Sequence, residues 1–260
     1  FTDGRYGSFS TNRLDRKELE SFIRNGIDST RYLAEDKART LPDPALYYKG
    51  GGADLQLYDA AFESVHPDDK VGLAMKVCDE IMGKDERIIS AGSSYNDGDN
   101  FRYMVASNGF EGEASNTFFS LVGTVSIRGE GDARPESYWF DSSLYYDTLI
   151  KEGIGTKALE RVRRKLGQRK IASARMPMVV DFLSSARLLS PVINALYGSS
   201  IQQKNSFLLD KLNQKTLGEK MTLTDEPHPL RSSGARYFDN EGIATQQRKV
   251  FDQGILQTYY

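Results

Sequence analysis

Histidine and cysteine are scarce in this chain, which has two histidines and one cysteine among 260 residues. The single cysteine, Cys78, excludes an internal disulfide and gives no sign of a disulfide-stapled secreted domain. Zinc needs three or four nitrogen, sulfur or carboxylate ligands at about 2 Å. His66 precedes Pro67 and His228 precedes Pro229, which puts both histidines in turns, and no paired ligand spacing joins them. Other catalytic signatures are missing too. No G-x-S-x-G elbow is present, and Gly153-Ile154-Gly155-Thr156-Lys157 lacks the spacing of a phosphate loop. Those glycines read instead as a tight turn or a close helix contact. No run of about 20 apolar residues could span a membrane. Net charge is −2 and pI about 5.9, so nothing global attracts nucleic acid or an anionic membrane. No signal-peptide pattern opens the sequence, and the expected location is the cytoplasm.

What remains is an ordinary globular composition, 39% hydrophobic and 27% charged, long enough for a sizeable core. The expected class is α+β. A helical N-terminal remnant (1–44) leads to a middle domain of antiparallel sheet with covering helices (45–174). The start of a β-rich C-terminal domain (175–260) follows.

Residues 15–34 read as a helix capped by Asp15, with Glu18 at capping-box spacing and an apolar stripe of Leu19, Phe22, Ile23 and Ile27. Pro42 and Pro44, then Gly50-Gly51-Gly52, punctuate a linker. A second helix starts at Pro67 and stops at Gly83, with Val71, Ala74, Met75, Cys78 and Met82 inward. That position makes Cys78 a buried thiol rather than a nucleophile. From residue 86 the period becomes two. Strands are predicted over 87–95, 101–107, 117–128 and 137–140, with hairpins at Asn96-Asp97-Gly98 and Asn108-Gly109 and Phe101, Tyr103 and Val105 on the packed face. Residues 145–167 return to helix, covering the sheet with Leu149, Ile150, Ile154, Ala158, Leu159, Val162 and Leu166. Further on, 178–182 reads as a strand. Ser190 then reads as an N-cap with Pro191 at the first helical position and Gly198 as the stop, and strands return at 221–224 and 249–260.

Two charge groupings stand out. Arg161, Arg163, Arg164, Lys165, Arg169 and Lys170 form a dense basic run with no base-stacking aromatics interleaved, so a solvated helical face is expected and nucleic acid is not. Asp239 and Glu241 frame Gly242. Paired carboxylates can do acid–base work when their pKa values are pushed apart. The simpler reading is a turn between strands with Gly242 at positive φ.

Four segments, in order, carry a resemblance: Asp3-Gly4-Arg5-Tyr6-Gly7-Ser8-Phe9-Ser10-Thr11-Asn12; Asn205-Ser206-Phe207-Leu208-Leu209-Asp210-Lys211-Leu212; Asp225-Glu226-Pro227-His228; and Phe238-Asp239-Asn240-Glu241-Gly242-Ile243-Ala244-Thr245. Together they resemble the TldD/PmbA family, once called modulators of DNA gyrase, and its PmbA (TldE) branch in particular. The resemblance implies a cytosolic zinc peptidase acting on unfolded or short peptides. A TldD-like subunit would carry His-Glu-x-x-x-His and the zinc, and the PmbA-like subunit would be its metal-free partner. Here the aligned positions are Ser190, Pro191 and Ala195, none of which can hold zinc. No catalytic residue, metal ligand or cofactor is therefore expected in this chain. Asn194, Asp239, Glu241 and Gly242 are the candidate contacts to peptide or partner, on the resemblance and the functional bias of loops. The expected partners are a His-Glu-x-x-x-His paralogue and short or unfolded peptides, with a homodimer open to the isolated chain. The alternative is a stand-alone peptide-binding or scaffold protein. Phe1 falls inside a family segment and Tyr260 precedes the family's C-terminal third, which would make the chain shorter than the family at both ends.

Overall fold

The 18-residue strand β1 (Ile88–Val105) turns tightly at Asn108-Gly109 into the 17-residue β2 (Glu111–Ile127), and this hairpin is the longest feature of the computed structural model, which describes residues 1–260. Gly109 takes φ +104° and its N–H donates to the Ala106 carbonyl at 3.0 Å, the positive φ that this turn requires. β3 (Glu136–Ser143) pairs antiparallel with β2 on its other side. A second antiparallel sheet joins β4 (Leu223–Asp225), β5 (Arg248–Asp252) and β6 (Ile255–Leu256). Five α-helices complete the α+β fold: α1 (Arg16–Thr30), α2 (Pro67–Asp79), α3 (Ile154–Arg163), α4 (Phe182–Ala195) and α5 (Gly198–Gln202).

The chain divides into two units. One holds Phe1–Gly50, Met104–Gly112 and Phe238–Ala244; the other holds Gly51–Tyr103, Glu113–Tyr237 and Thr245–Tyr260. In the first unit, α1 begins where the sequence placed it, with the Asp15 carboxylate accepting from Lys17 N (3.0 Å) and Glu18 N (3.3 Å). It ends at Thr30, short of residue 34, and Ile23 and Ile27 of its expected inward stripe are exposed.

In the second unit, α2 and α3 cover one face of the first sheet. Leu73, Val77 and Ile81 point into it rather than Val71, Met75 and Met82, which are exposed. Both sets are legal helical stripes, and the sheet selects between them. Val77 fits over Gly123, where an added Cβ would lie 2.8 Å from Val77 Cγ1. Leu121, Val125 and Ile127 of β2 meet Ile154, Ala158, Leu159 and Val162 of α3 to close the core. α3 is shorter than the helix expected over 145–167. Residues 145–153 form turns instead, in which Asp141 accepts from Ile150 N at 2.9 Å and leaves Ile150 exposed.

Two expected strands prove to be one. Asn96-Asp97-Gly98 does not turn the chain but runs on through β1, with Asp97 engaged by α2 and Gly98 lying against β2. Asp97 is ion-paired to Lys70 and accepts from Tyr95 OH, and a Cβ on Gly98 would come within 2.6 Å of the Phe118 ring. Further along β1, Phe101, Tyr103 and Val105 lie beyond the helical cover and are exposed, not packed. Cys78 is half-buried, with Sγ 3.3 Å from Ser93 Oγ. In the second sheet, β5 and β6 are joined by Gln253-Gly254, both at positive φ (49° and 80°), the geometry of a two-residue hairpin.

Candidate functional site

The helix expected to hold the motif positions, α4, starts earlier than the sequence indicates. Residues 178–181 form no strand, and Asp181, not Ser190, is the N-cap: its Oδ1 accepts from Leu183 N at 2.8 Å. The other Asp181 oxygen lies 3.6 Å from Arg161 of α3. Arg161 in turn sits over the ring of Trp139, 5.3 Å from its centroid, beside Lys157 at 5.1 Å. Phe182 meets the same ring edge-on at 6.2 Å. An indole face attracts cations and its edge suits a second ring. The start of α4 is thereby tied to α3 and β3.

Pro191 lies inside α4, and so the Arg187 carbonyl has no i+4 N–H to accept from. Ser190 Oγ donates to that carbonyl at 2.9 Å. A hydroxyl read as a cap therefore repairs the defect left by its neighbour. The helix runs on to Ala195, where Ser206 Oγ donates to the Ala195 carbonyl at 2.6 Å, and Gly198 opens α5 rather than ending α4.

Ser190 and Pro191 are exposed, whereas Ala195 is buried with Leu196, Leu208, Val250, Phe251 and Leu256. Five residues of regular helix rotate the chain by about 140° relative to a full turn, so positions 190 and 195 face apart. None of the three side chains is a zinc ligand. Nowhere do three or more His, Cys, Asp or Glu gather in a metal-holding arrangement. Asn194 is exposed beside these positions, and its carbonyl accepts from Ser200 Oγ at 3.1 Å.

Asp239, Glu241 and Gly242 come together in the other unit as a turn closed by the Phe238–Ala244 bridge. Asp239 Oδ1 accepts from Glu241 N (2.8 Å) and Ile243 N (3.0 Å). Gly242 takes φ +89° and is pressed against Phe110, whose ring atoms would lie 2.7 Å from an added Cβ. Asp239 therefore binds its own backbone, while the Glu241 carboxylate faces solvent.

The glycine segment at 153–157 starts α3, and an internal carboxylate fills the place a phosphate would take. Glu80 accepts from Gly153 N (2.7 Å), Gly155 N (2.8 Å) and Thr156 N (3.3 Å). His66 caps α2, with Nδ1 accepting from Asp68 N at 3.2 Å, and His228 Nε2 lies 3.0 Å from Thr245 Oγ1. Beyond α4, burial raises the Tyr95 phenol, helped by the Asp97 charge, and Arg87 with Arg163 holds the Asp85 carboxyl well below the usual range. The sequence reading missed the Arg161–Trp139–Phe182 cluster. The one signal available was chemical: Trp139 is the single tryptophan in the chain, and an indole face attracts cations.

Comparison with known proteins bears on this arrangement. Residues 60–166 match the PmbA/TldA metallopeptidase central domain, and residues 173–260 the PmbA/TldA metallopeptidase C-terminal domain. The chain is 29% identical over 255 residues to the "Metalloprotease PmbA homolog" of Haemophilus influenzae, across 97% of this chain and 56% of that protein. The crystal structure of a modulator of DNA gyrase from Bacteroides thetaiotaomicron superposes with TM-score 0.96 at 65% identity, over 99% of this chain and 59% of that one. TldE from Thermococcus kodakarensis shares the fold at TM-score 0.70 and 19% identity, over 94% and 54% of the two chains. The chain thus spans a little more than half the length of these three proteins. No helix is long and apolar enough to cross a membrane.

Proposed function

Starting from the fact that the chain belongs to the PmbA/TldD metallopeptidase family, we propose that it acts as the metal-free subunit of a cytoplasmic peptidase. In that assembly, a paralogue bearing His-Glu-x-x-x-His supplies the zinc and the cleavage chemistry. This chain supplies part of the enclosing wall for an unfolded or short peptide. On this reading, residues 1–44, 45–174 and 175–260 correspond to successive family domains.

The observation that carries the proposal is the state of α4. On this reading Ser190, Pro191 and Ala195 occupy the motif positions, and Ser190 donates to the Arg187 carbonyl that Pro191 leaves without an N–H. A subunit of this kind can still raise activity, because an interface that binds only the ordered form of a partner's catalytic helix favours that form. Asn194, Asp239, Glu241 and Gly242 are the proposed contacts to peptide or partner. Asp239 and Gly242 would act by fixing the shape of their turn and Glu241 by its exposed charge.

The test is to purify the chain and its His-Glu-x-x-x-His paralogue separately, then assay cleavage of an unfolded polypeptide alone and mixed. The chain alone should be inactive and hold no stoichiometric zinc, and the mixture should exceed the paralogue alone severalfold. A paralogue that is fully active by itself and indifferent to this chain would instead favour a stand-alone binding or scaffold role.

A further inference from the structure

The stretch joining α3 to α4 is unusual for a connector. Residues 168–179 are exposed throughout, and residues 169–180 make no main-chain hydrogen bond. Its apolar side chains have no cover: Val179 is 98% exposed, Ile171 73% and Met178 72%, followed on α4 by Phe182 at 69%. An ordinary linker is polar. A contiguous set of uncovered apolar side chains is the mark of an interaction surface.

Charge adds a second, independent feature. From Lys157 to Arg187 the sequence holds nine basic residues and two acidic ones, in a chain whose net charge is −2. Asp181, the only acidic residue between positions 164 and 188, is already engaged by Arg161 and by the start of α4. Arg164, Arg169, Lys170, Arg175 and Arg187 are exposed and have no acidic partner.

We propose that residues 164–188 form the docking surface for an acidic, apolar-pocketed face of the His-Glu-x-x-x-His subunit. The inference rests on the subunit reading and specifies where and by what chemistry the pairing occurs. Backbone state decides among the possible occupants. An interfacial membrane segment satisfies its own N–H and C=O groups by forming a helix, whereas residues 169–180 lie outside any helix or strand and would bring unpaired groups into lipid. Single-stranded nucleic acid calls for stacking rings, and the side chains interleaved with these cations are Ile, Met and Val. A protein partner can meet all three demands. It can satisfy the unpaired backbone groups, bury the aliphatic side chains, and neutralise the cations with carboxylates.

The experiment uses the whole chain and the purified paralogue, with binding followed by sedimentation velocity at about 0.05 M and about 0.3 M salt. Three variants are compared with wild type: Arg169→Glu/Lys170→Glu/Arg175→Glu, Val179→Asp, and the exposed control Lys220→Glu. Trp139 emission, which senses the adjacent Phe182 and Arg161, verifies that each variant keeps α4 docked. The expected result at low salt is about a hundredfold weaker binding for the triple variant, a gap that narrows at high salt. Val179→Asp should bind about tenfold more weakly at both salts, and Lys220→Glu should match wild type. Wild-type affinity in the triple variant and in Val179→Asp would overturn the docking surface and leave the subunit reading standing. No binding by wild type would remove the subunit reading itself. Cosedimentation with phosphatidylserine vesicles, or self-association abolished by Val179→Asp, would give the surface to lipid or to a second copy and overturn the proposal.

Discussion

Ser190 and Pro191 act as a compensating pair inside α4: the proline removes a main-chain donor, and the serine hydroxyl donates to the Arg187 carbonyl at 2.9 Å. Their effects on stability should therefore be coupled. Ser190→Ala should cost about 1 kcal/mol, one hydrogen bond on a partly solvated helix. Pro191→Ala restores the N–H and should stabilise by about 1 kcal/mol or more. With the N–H restored, Ser190→Ala should cost close to nothing. Denaturant unfolding of the two single variants and the double variant measures the coupling, and strict additivity would show that the hydroxyl does not replace the N–H.

Grafting the family motif should fail to make an enzyme. In the triple variant Ser190→His, Pro191→Glu, Ala195→His, the first imidazole is exposed, whereas the second enters the cluster around Leu196, Leu208 and Phe251. A large polar ring in a packed core costs about 2 kcal/mol or more. The expected outcome is a lower unfolding midpoint, weak zinc binding by titration and no peptide cleavage. Zinc-dependent hydrolysis by the variant without a partner would reject this account.

Glu80 makes the α2–α3 contact sensitive to single atoms. Glu80→Ala leaves three N–H groups at the start of α3 without their carboxylate and should cost about 2 kcal/mol. Gly155→Ala drives a Cβ into the Val77 carbonyl and should cost about 2–3 kcal/mol, because backbone must move. Thermal unfolding checks both, and a Gly155→Ala variant as stable as wild type would mean that the helices are not so closely seated.

Asp85 gives the chain an acid-sensitive joint. Arg87 donates to it through Nε (2.9 Å) and Nη2 (2.8 Å), and Arg163 through Nε (2.8 Å), which holds the carboxyl well below its ordinary value. A depressed folded-state pKa contributes stability above the unfolded pKa of about 4, and that contribution is lost as pH falls through the depressed value. The wild-type unfolding midpoint should therefore drop as pH goes from about 5 to about 2, and Asp85→Asn should flatten this acid limb while lowering stability near neutrality. Parallel acid limbs would show that the ion pairs contribute little.

Much of this was legible where local chemistry and periodicity agree. Asp15 before an apolar helical pattern, Pro67 at a helix start, Asn108-Gly109 between alternating strands, and Ile154, Ala158, Leu159 and Val162 on one helical face all stand as read. Misreadings arose where a local signal had two physical uses. Asn96-Asp97-Gly98 has hairpin chemistry, yet here its small and charged side chains serve cross-strand packing against Phe118 and pairing with Lys70. Ser190-Pro191 has helix-start chemistry, yet it sits mid-helix because a hydroxyl can stand in for an N–H. Neither Leu73/Val77 nor Val71/Met75 is the better stripe by sequence, and Gly123 on another element decides. The Arg161–Trp139–Asp181 contact joins three elements, so no spacing rule could reveal it.

The two sheets also differ in how far apart in the chain their strands lie, which sets an order of events in time. β1 and β2 are joined by the Asn108-Gly109 turn and can zip from that point. The β4–β5 pairing must wait for the whole segment from Asp225 to Arg248 to close, and the core beside it needs Leu196 to find Val250. Local pairings form sooner than those that must first close a long loop. During refolding, β2 amides should gain protection from hydrogen exchange before those of β5, and the reverse order would contradict this. In a chain still being made, the α2–α3 layer would then be in place before the core that buries Ala195 and Leu196 can close.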